Sequence, residues 1–149
     1  MNVFVANEQE LSIDTRRTSE LARHVLETED VEQGAELSVL MITADHMRQL
    51  NSKFAGDDYA TDVLAFPMME EDEDEGGLLL GDVVVCPEVA ASNATKLGHS
   101  LAGEIDNLVV HGTLHLLGYD HETELERERM NRRSRDILDS FDPERRADG

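Results

Sequence analysis

The chain has 149 residues, 40% of them hydrophobic, and a formal net charge of −20 from 13 basic and 33 acidic residues. This acidic excess argues against a broad nucleic-acid-binding surface, because contacts to phosphate need Lys and Arg. No apolar run is long enough to cross a bilayer, no signal peptide is recognisable and the single Cys86 excludes an internal disulfide, so we expect one cytoplasmic domain over residues 1–149.

The hydrophobic pattern predicts strands and helices that alternate in the first half of the chain. In chain order it predicts a strand at 2–7, a helix at 15–31, a strand at 35–43, a helix at 44–54, strands at 62–68 and 78–86, and helices at 87–96, 100–117 and 122–141. Asp14 or Thr15 can cap the first helix and Thr43 the second, since short polar side chains accept hydrogen bonds from the first helical amides.

This order of elements predicts the fold class. Residues 70–75 are six consecutive acids followed by two glycines, and we expect them in a solvated loop that joins the last two strands into a hairpin. The prediction is an α/β (α+β) domain with a four-stranded mixed β-sheet and about five helices.

Three histidines in the segment HGTLHLLGYDH, residues 111–121, indicate a metal site. On a helix over 100–117, His111 and His115 are four residues apart and share one side, at the edge of the core-facing stripe. Two imidazoles at this spacing can bind one metal ion, as on the helix of a zinc protease. Gly118 can adopt the left-handed conformation that ends a helix and return His121 to the same ion. Three nitrogen ligands with an open fourth position are typical of catalytic zinc, so we expect one zinc ion per chain, although nickel and copper also accept imidazoles.

The spacing H-x3-H-x2-G-x2-H is also that of the metzincin proteases, H-E-x-x-H-x-x-G-x-x-H. In those proteases the Glu after the first histidine is the general base, whereas Gly112 stands there in this chain. Glu104 lies on the same side of the helix as His111 but about 10 Å back along its axis. It is therefore too far away to be the general base, unless the helix bends. Asp120 is therefore the candidate catalytic residue, as a group that orients His121 or accepts a proton. It can equally be a turn-forming aspartate.

The same segment resembles the signature of the YbeY family of bacterial metal-dependent endoribonucleases. LNSKFAGDDYATDVLAFP at 50–67 and LLLGDVVVCPEVA at 78–90 resemble two further family segments in order and spacing, so the resemblance covers about 35–141. It implies a mixed α/β fold, zinc held by His111, His115 and His121, and cleavage of single-stranded RNA. The implied partners are ribosomal RNA, notably the 3′ end of the small-subunit rRNA, or pre-ribosomal particles, with a role in ribosome quality control. No DNA or membrane partner is expected.

One departure from the family concerns a positively charged residue. The family usually carries an Arg after the aromatic residue of the first segment, where it is thought to face the active site, but here Ala55 follows Phe54. The last predicted helix carries five arginines within nine residues. Among them, Arg132 and Arg133 are the candidates for contacts with the RNA backbone, while Glu–Arg pairs on a solvated helix would fit the same pattern.

Three functions fit these residues. The first is metal-assisted phosphodiester hydrolysis, with either water or the RNA 2′-hydroxyl as the nucleophile. The second is a metallopeptidase, against which Gly112 argues because the protease base is missing. The third is a non-catalytic, zinc-stabilised ribosome-assembly factor, which the net charge of −20 and Ala55 favour.

Overall fold

A computed structural model of the chain describes residues 1–72 and 77–142. The described residues form four strands and five helices. The strands are β1 (Asn2–Asn7), β2 (Ala35–Met41), β3 (Val63–Asp72) and β4 (Gly77–Val85). The helices are α1 (Thr15–Thr28), α2 (Ala44–Ala55), α3 (Pro87–Leu97), α4 (Leu101–Leu116) and α5 (Glu124–Phe141). The predicted α/β fold with a mixed sheet and five helices is thus confirmed.

The sheet has the strand order β1-β2-β4-β3. β1 and β2 are parallel, β2 and β4 are parallel, and β3 is antiparallel to β4. Helix α1 connects the parallel strands β1 and β2, whereas the connection from β2 to β4 contains α2 and β3. β3 and β4 form the predicted hairpin, because antiparallel neighbours need only a short connection. The sheet is therefore mixed because connections that contain a helix join the parallel strands, while a hairpin joins the antiparallel pair.

Both faces of the sheet are covered. On one face, side chains such as Leu37 and Val83 form a core with Leu108 and Val109 of α4 and with α1. On the other face, α2 contributes buried Met47 to a smaller core. A third core joins α5 to α1 and α4. This places α4 between the sheet and α5, so residues on the flank of α4 lie next to α5.

The acidic run departs from the predicted loop. Glu70, Glu71 and Asp72 continue β3 and pair with Leu79, Leu78 and Gly77 of β4, so the prediction is wrong for these three residues. Backbone pairing with a neighbouring strand outweighs the low strand propensity of acidic residues. Residues 73–75 lie outside the described residues.

Gly81 interrupts β4 as a bulge. The register with β2 shifts here, and Gly81 has a φ of 138°. A Cβ on this residue would lie 2.1 Å from the carbonyl oxygen of Phe66 on β3. Only glycine permits this close approach of the two backbones.

Residues that flank α1 determine where this helix begins and ends. It begins after Asp14, whose side chain accepts a hydrogen bond from the Arg17 amide as the predicted cap. It ends before the predicted boundary because Asp30 has a left-handed φ of 56°.

Within residues 1–72 and 77–142 no helix combines the length and the apolar character that a membrane span requires.

Candidate active site

The helix that carries the first two histidines lies unusually close to the sheet. Gly112 faces β4, and a Cβ placed on it would lie only 2.6 Å from Cγ1 of Val83. Glycine favours this approach, because Val83 is fully buried and has little room to move aside. The position after His111 therefore belongs to the core face of α4, and a glutamate there would point into β4 rather than toward a metal ion.

The turn after α4 has the geometry that Gly118 predicts. The amide of Tyr119 donates to the carbonyl of Leu114 and that of Gly118 to the carbonyl of His115, both at 3.1 Å. Gly118 has a φ of 102°. These two bonds and the left-handed glycine are the Schellman ending of a helix. Tyr119 then packs on the core that contains Leu114, so the chain folds back over the last turn of α4.

This reversal brings His121 to His115. The centroids of their two rings are 5.7 Å apart. His111, His115 and His121 all line one cleft, in which His111 is half-buried and the other two are exposed. Burial lowers the pKa of the His111 imidazole, and the nearby His121 and His115 lower it further, while the charge of Asp62 opposes the shift. The three predicted ligands thus line one cleft, and His111 favours the neutral form that binds metal.

Nowhere in the described part of the chain do three His, Cys, Asp or Glu side chains have an arrangement that would hold a metal ion. The donor set of three imidazoles suits zinc, and the ligand assignment stays a prediction.

The cleft is large enough for a chain of nucleotides. Its volume is about 1240 Å³, and it is bounded by the start of β3, by α4 and by α5. Besides His111, His115 and His121 it is lined by acidic, basic, amide and hydroxyl side chains. These are Asp62, His99, Glu104, Asn107, Arg127, Glu128, Asn131, Arg132, Ser134 and Arg135.

Asp62 lines the cleft and is not among the functional residues predicted from the sequence. It precedes β3, and Nδ2 of Asn93 donates to its Oδ2 at 3.3 Å. The carbonyl of Asp62 accepts the amide of Cys86 at 2.9 Å, which fixes the start of β3 beside the end of β4. A polar residue at a strand end next to an apolar run is a signal that could have identified it. Its carboxylate is the one whose charge acts on His111.

Asp120 takes the turn-forming position that the sequence also allowed. Its Oδ1 accepts the backbone amide of His121 at 2.7 Å. It is not among the residues that line the cleft. One oxygen thus holds the turn that presents His121, and the predicted proton-transfer role remains a prediction.

The two predicted RNA-binding arginines face different ways. Arg132 lines the cleft together with Arg127 and Arg135. Arg133 instead forms an ion pair with Glu29 of α1 and donates to the carbonyl of Thr28 at 3.3 Å. Its guanidinium therefore joins α5 to α1, and it is not among the cleft residues.

The departure at Ala55 also lies outside the cleft. Ala55 is the exposed last residue of α2, before Gly56 with its left-handed φ of 78°. Phe54 is 59% exposed and stacks under the ammonium of Lys53, 5.2 Å from the ring centroid. None of the three lines the cleft, so its cations come from α5.

Known proteins resemble this chain over most of its length. The family model described as Endoribonuclease YbeY matches residues 4–142. Endoribonuclease YbeY of Salinispora tropica is 50% identical over 139 residues, which are 86% of this chain and 88% of that protein. The protein of the same name from Acidothermus cellulolyticus is 40% identical and covers 100% of this chain and 96% of its own. A Thermotoga maritima protein solved in solution superimposes with a TM-score of 0.66 at 27% identity, covering 98% of this chain and 93% of that one.

Proposed function

The chain belongs to the endoribonuclease YbeY family, and we propose that it is a metal-dependent endoribonuclease that cleaves single-stranded RNA in the cleft beside α4 and α5. The observation that carries the proposal is the reversal of the chain at Gly118, which sets His121 next to His115 in a cleft that His111 also lines. Three imidazoles gathered beside cationic side chains are suited to a substrate that carries phosphate.

We propose that His111, His115 and His121 hold one zinc ion. Their three nitrogens leave a coordination position open, as in catalytic zinc sites. When bound there, zinc supplies a Lewis acid for a phosphate oxygen and lowers the pKa of a water molecule. The fully buried neighbour Val83 fixes the position of α4 through Gly112, so the first two histidines are carried on a rigid element.

The other cleft residues divide by charge. Arg127, Arg132 and Arg135 project from α5 into the cleft and form no ion pair within the described residues, so their guanidinium groups are free to bind phosphates. Asp62 lies opposite and acts electrostatically on His111. We propose it as the proton acceptor of the reaction, with Asp120 as the alternative. The attacking group, water or the RNA 2′-hydroxyl, is distinguished by the products, since a 2′,3′-cyclic phosphate forms only in the second case.

We propose ribosomal RNA as the substrate, in particular the 3′ end of the small-subunit rRNA, with a cytoplasmic role in ribosome quality control. The resemblance to the family supports this, and so does the charge distribution. A chain with a net charge of −20 repels nucleic acid over most of its surface. A single-stranded segment that enters one cleft with three arginines encounters less of this repulsion than a duplex that lies on a broad face.

The proposal is tested with wild-type protein and the His115→Ala variant, each incubated with single-stranded RNA with and without chelator. His46→Ala is the matched control, because His46 is an exposed histidine of α2 away from the cleft. Wild type and the control should cleave, chelator should stop both, and His115→Ala should lose more than about 100-fold in rate. Equal cleavage by His115→Ala would assign the activity to a contaminant.

The two alternative functions make different predictions. A metallopeptidase would need a base where Gly112 packs on Val83, and zinc-loaded protein should leave peptides intact. A non-catalytic assembly factor would bind ribosomal particles yet leave RNA uncut when loaded with metal. That second result would replace the catalytic proposal.

A further inference from the structure

Glu104 is a buried acid with one carboxylate oxygen that accepts no hydrogen bond from the described residues. Its side chain is only 9% exposed, and Oε2 has no hydrogen-bond partner within the described residues. Nε2 of His99 lies 3.2 Å from this oxygen, which is within ion-pair distance, but the two atoms form no hydrogen bond. A buried carboxylate oxygen that accepts no hydrogen bond loses the hydration it has in water, and this loss is unfavourable. A group outside the chain is therefore expected to supply the donor.

A second buried polar atom without a partner lies in the same cleft. Ser134 of α5 is 7% exposed, and its Oγ makes no hydrogen bond within residues 1–72 and 77–142. Glu104 and Ser134 line the cleft from its two helices, together with the side-chain amides of Asn107 and Asn131. Unsatisfied polar groups are rare in folded proteins. Two of them at one cleft indicate a binding site for a polar ligand.

The charge of the site limits what that ligand can be. A carboxylate accepts hydrogen bonds and repels phosphate, so the phosphates of an RNA chain would lie on the side of Arg127, Arg132 and Arg135. The group that reaches Glu104 must be an N–H or O–H donor. Single-stranded RNA presents such donors on the Watson–Crick edges of unstacked bases. Guanine carries two adjacent donors there, N1–H and the N2 amine, which match the two oxygens of one carboxylate.

We propose that Glu104 and Ser134 form a base-binding subsite for a guanine of the single-stranded RNA. Leu97 is 65% exposed at the edge of the cleft and Leu108 lies beside Glu104 on α4, so both offer apolar contact to a planar base. Glu104 lies about 10 Å along α4 from His111. The guanine would thus stand about one or two nucleotides from the cleaved bond. This inference rests on the proposed function and names a feature of its substrate.

The test compares two RNA oligonucleotides of uridine, one with a single guanine and one with inosine at that position, in competition for metal-loaded enzyme. Inosine lacks only the N2 amine. We expect wild type to cleave the guanine RNA about tenfold more efficiently, mainly through a lower KM. The Glu104→Gln variant keeps the size of the side chain but replaces one acceptor by a donor, so the preference should fall to about onefold. Glu128→Gln is the matched control, because Glu128 is an exposed acid of the same cleft and should leave the preference unchanged.

The outcomes separate this inference from the proposed function. Cleavage of both RNAs at equal rates by the wild type would overturn the guanine subsite and leave the nuclease intact. The affinity of metal-loaded protein for both RNAs is also measured by fluorescence anisotropy. A guanine preference in binding without cleavage would support the subsite and overturn the proposed activity, whereas no binding and no cleavage would overturn both. If Glu104→Gln fails to fold, Ser134→Ala is used, and a preference as strong as in the wild type would then contradict the role of Ser134.

Discussion

Replacing Gly112 by alanine tests how closely α4 approaches the sheet at the site. The added Cβ would lie 2.6 Å from Cγ1 of Val83 and 3.4 Å from Cγ2 of both Val83 and Val63. Overpacking a buried contact costs about 1–3 kcal/mol. Alanine gains about 1 kcal/mol over glycine in a helix interior. We therefore expect Gly112→Ala to lower the free energy of unfolding by about 1 kcal/mol, with a range of about 0–2 kcal/mol.

A double-mutant cycle with Val83→Ala isolates the contact. Removing both γ carbons of Val83 clears two of the three nearest atoms. In that background Gly112→Ala should become stabilising by about 1 kcal/mol, which gives a coupling energy of about 2 kcal/mol. The free energies are measured by urea unfolding followed by far-UV circular dichroism, with chelator present throughout so that metal affinity does not enter.

Gly103→Ala is the matched control for the cycle. Gly103 lies in the first turn of the same helix, where a Cβ would approach only the Ser100 hydroxyl, at 3.2 Å. We expect its effect to lie within about 1 kcal/mol of zero and to be independent of Val83. The close packing would be refuted if the Gly112→Ala variant had at least the wild-type free energy of unfolding and showed no coupling energy with Val83→Ala. The explanation for the absence of a protease-type glutamate would then fail with it.

Four further perturbations probe the site and the elements around it. Arg133→Ala should lower the free energy of unfolding by about 1–2 kcal/mol, because it leaves Glu29 without its ion pair, and should leave RNA affinity unchanged. Arg132→Ala should leave the free energy of unfolding unchanged and weaken RNA binding. It should also reduce the slope of log affinity against log salt by about 1. Equal effects of both variants on RNA would contradict the orientation of α5. Gly81→Ala should cost at least about 2 kcal/mol in urea unfolding, because the Cβ meets backbone of β3; an unchanged midpoint would contradict the bulge. Burial raises the pKa of the Cys86 thiol, so a thiol reagent at pH 8 should label it slowly in the folded protein and rapidly in urea; fast labelling of the folded protein would contradict its burial.

Local signals in the sequence were sufficient for most of the elements around the site. The spacing of His111 and His115 on an amphipathic helix and the position of Gly118 predict the end of α4, because a Schellman turn depends on a few neighbouring residues. The order of strands and helices predicts the mixed sheet in the same way. These features involve interactions close in sequence, and the structure confirms them.

The features that the sequence did not predict depend on contacts between distant segments. Residues 70–72 are strand because β4 pairs with them. Arg132 and Arg133 differ in direction by about 100° on the helix, and only the packing of α5 on α1 and α4 decides which one faces the cleft. Asp62 reaches the site because β3 packs beside α4. Glu104 appeared too remote from His111 along the helix, but a shared cleft joins the two residues.

The central claim, that three histidines form one catalytic metal site, is tested most directly by the metal content of purified protein. Wild type loaded with zinc and dialysed should retain about one zinc ion per chain. His111→Ala, His115→Ala and His121→Ala should each retain far less, and cleavage of single-stranded RNA should decline in proportion to the zinc bound. Full zinc content and activity in His121→Ala would contradict the claim, because the turn at Gly118 would then bring no ligand to the site.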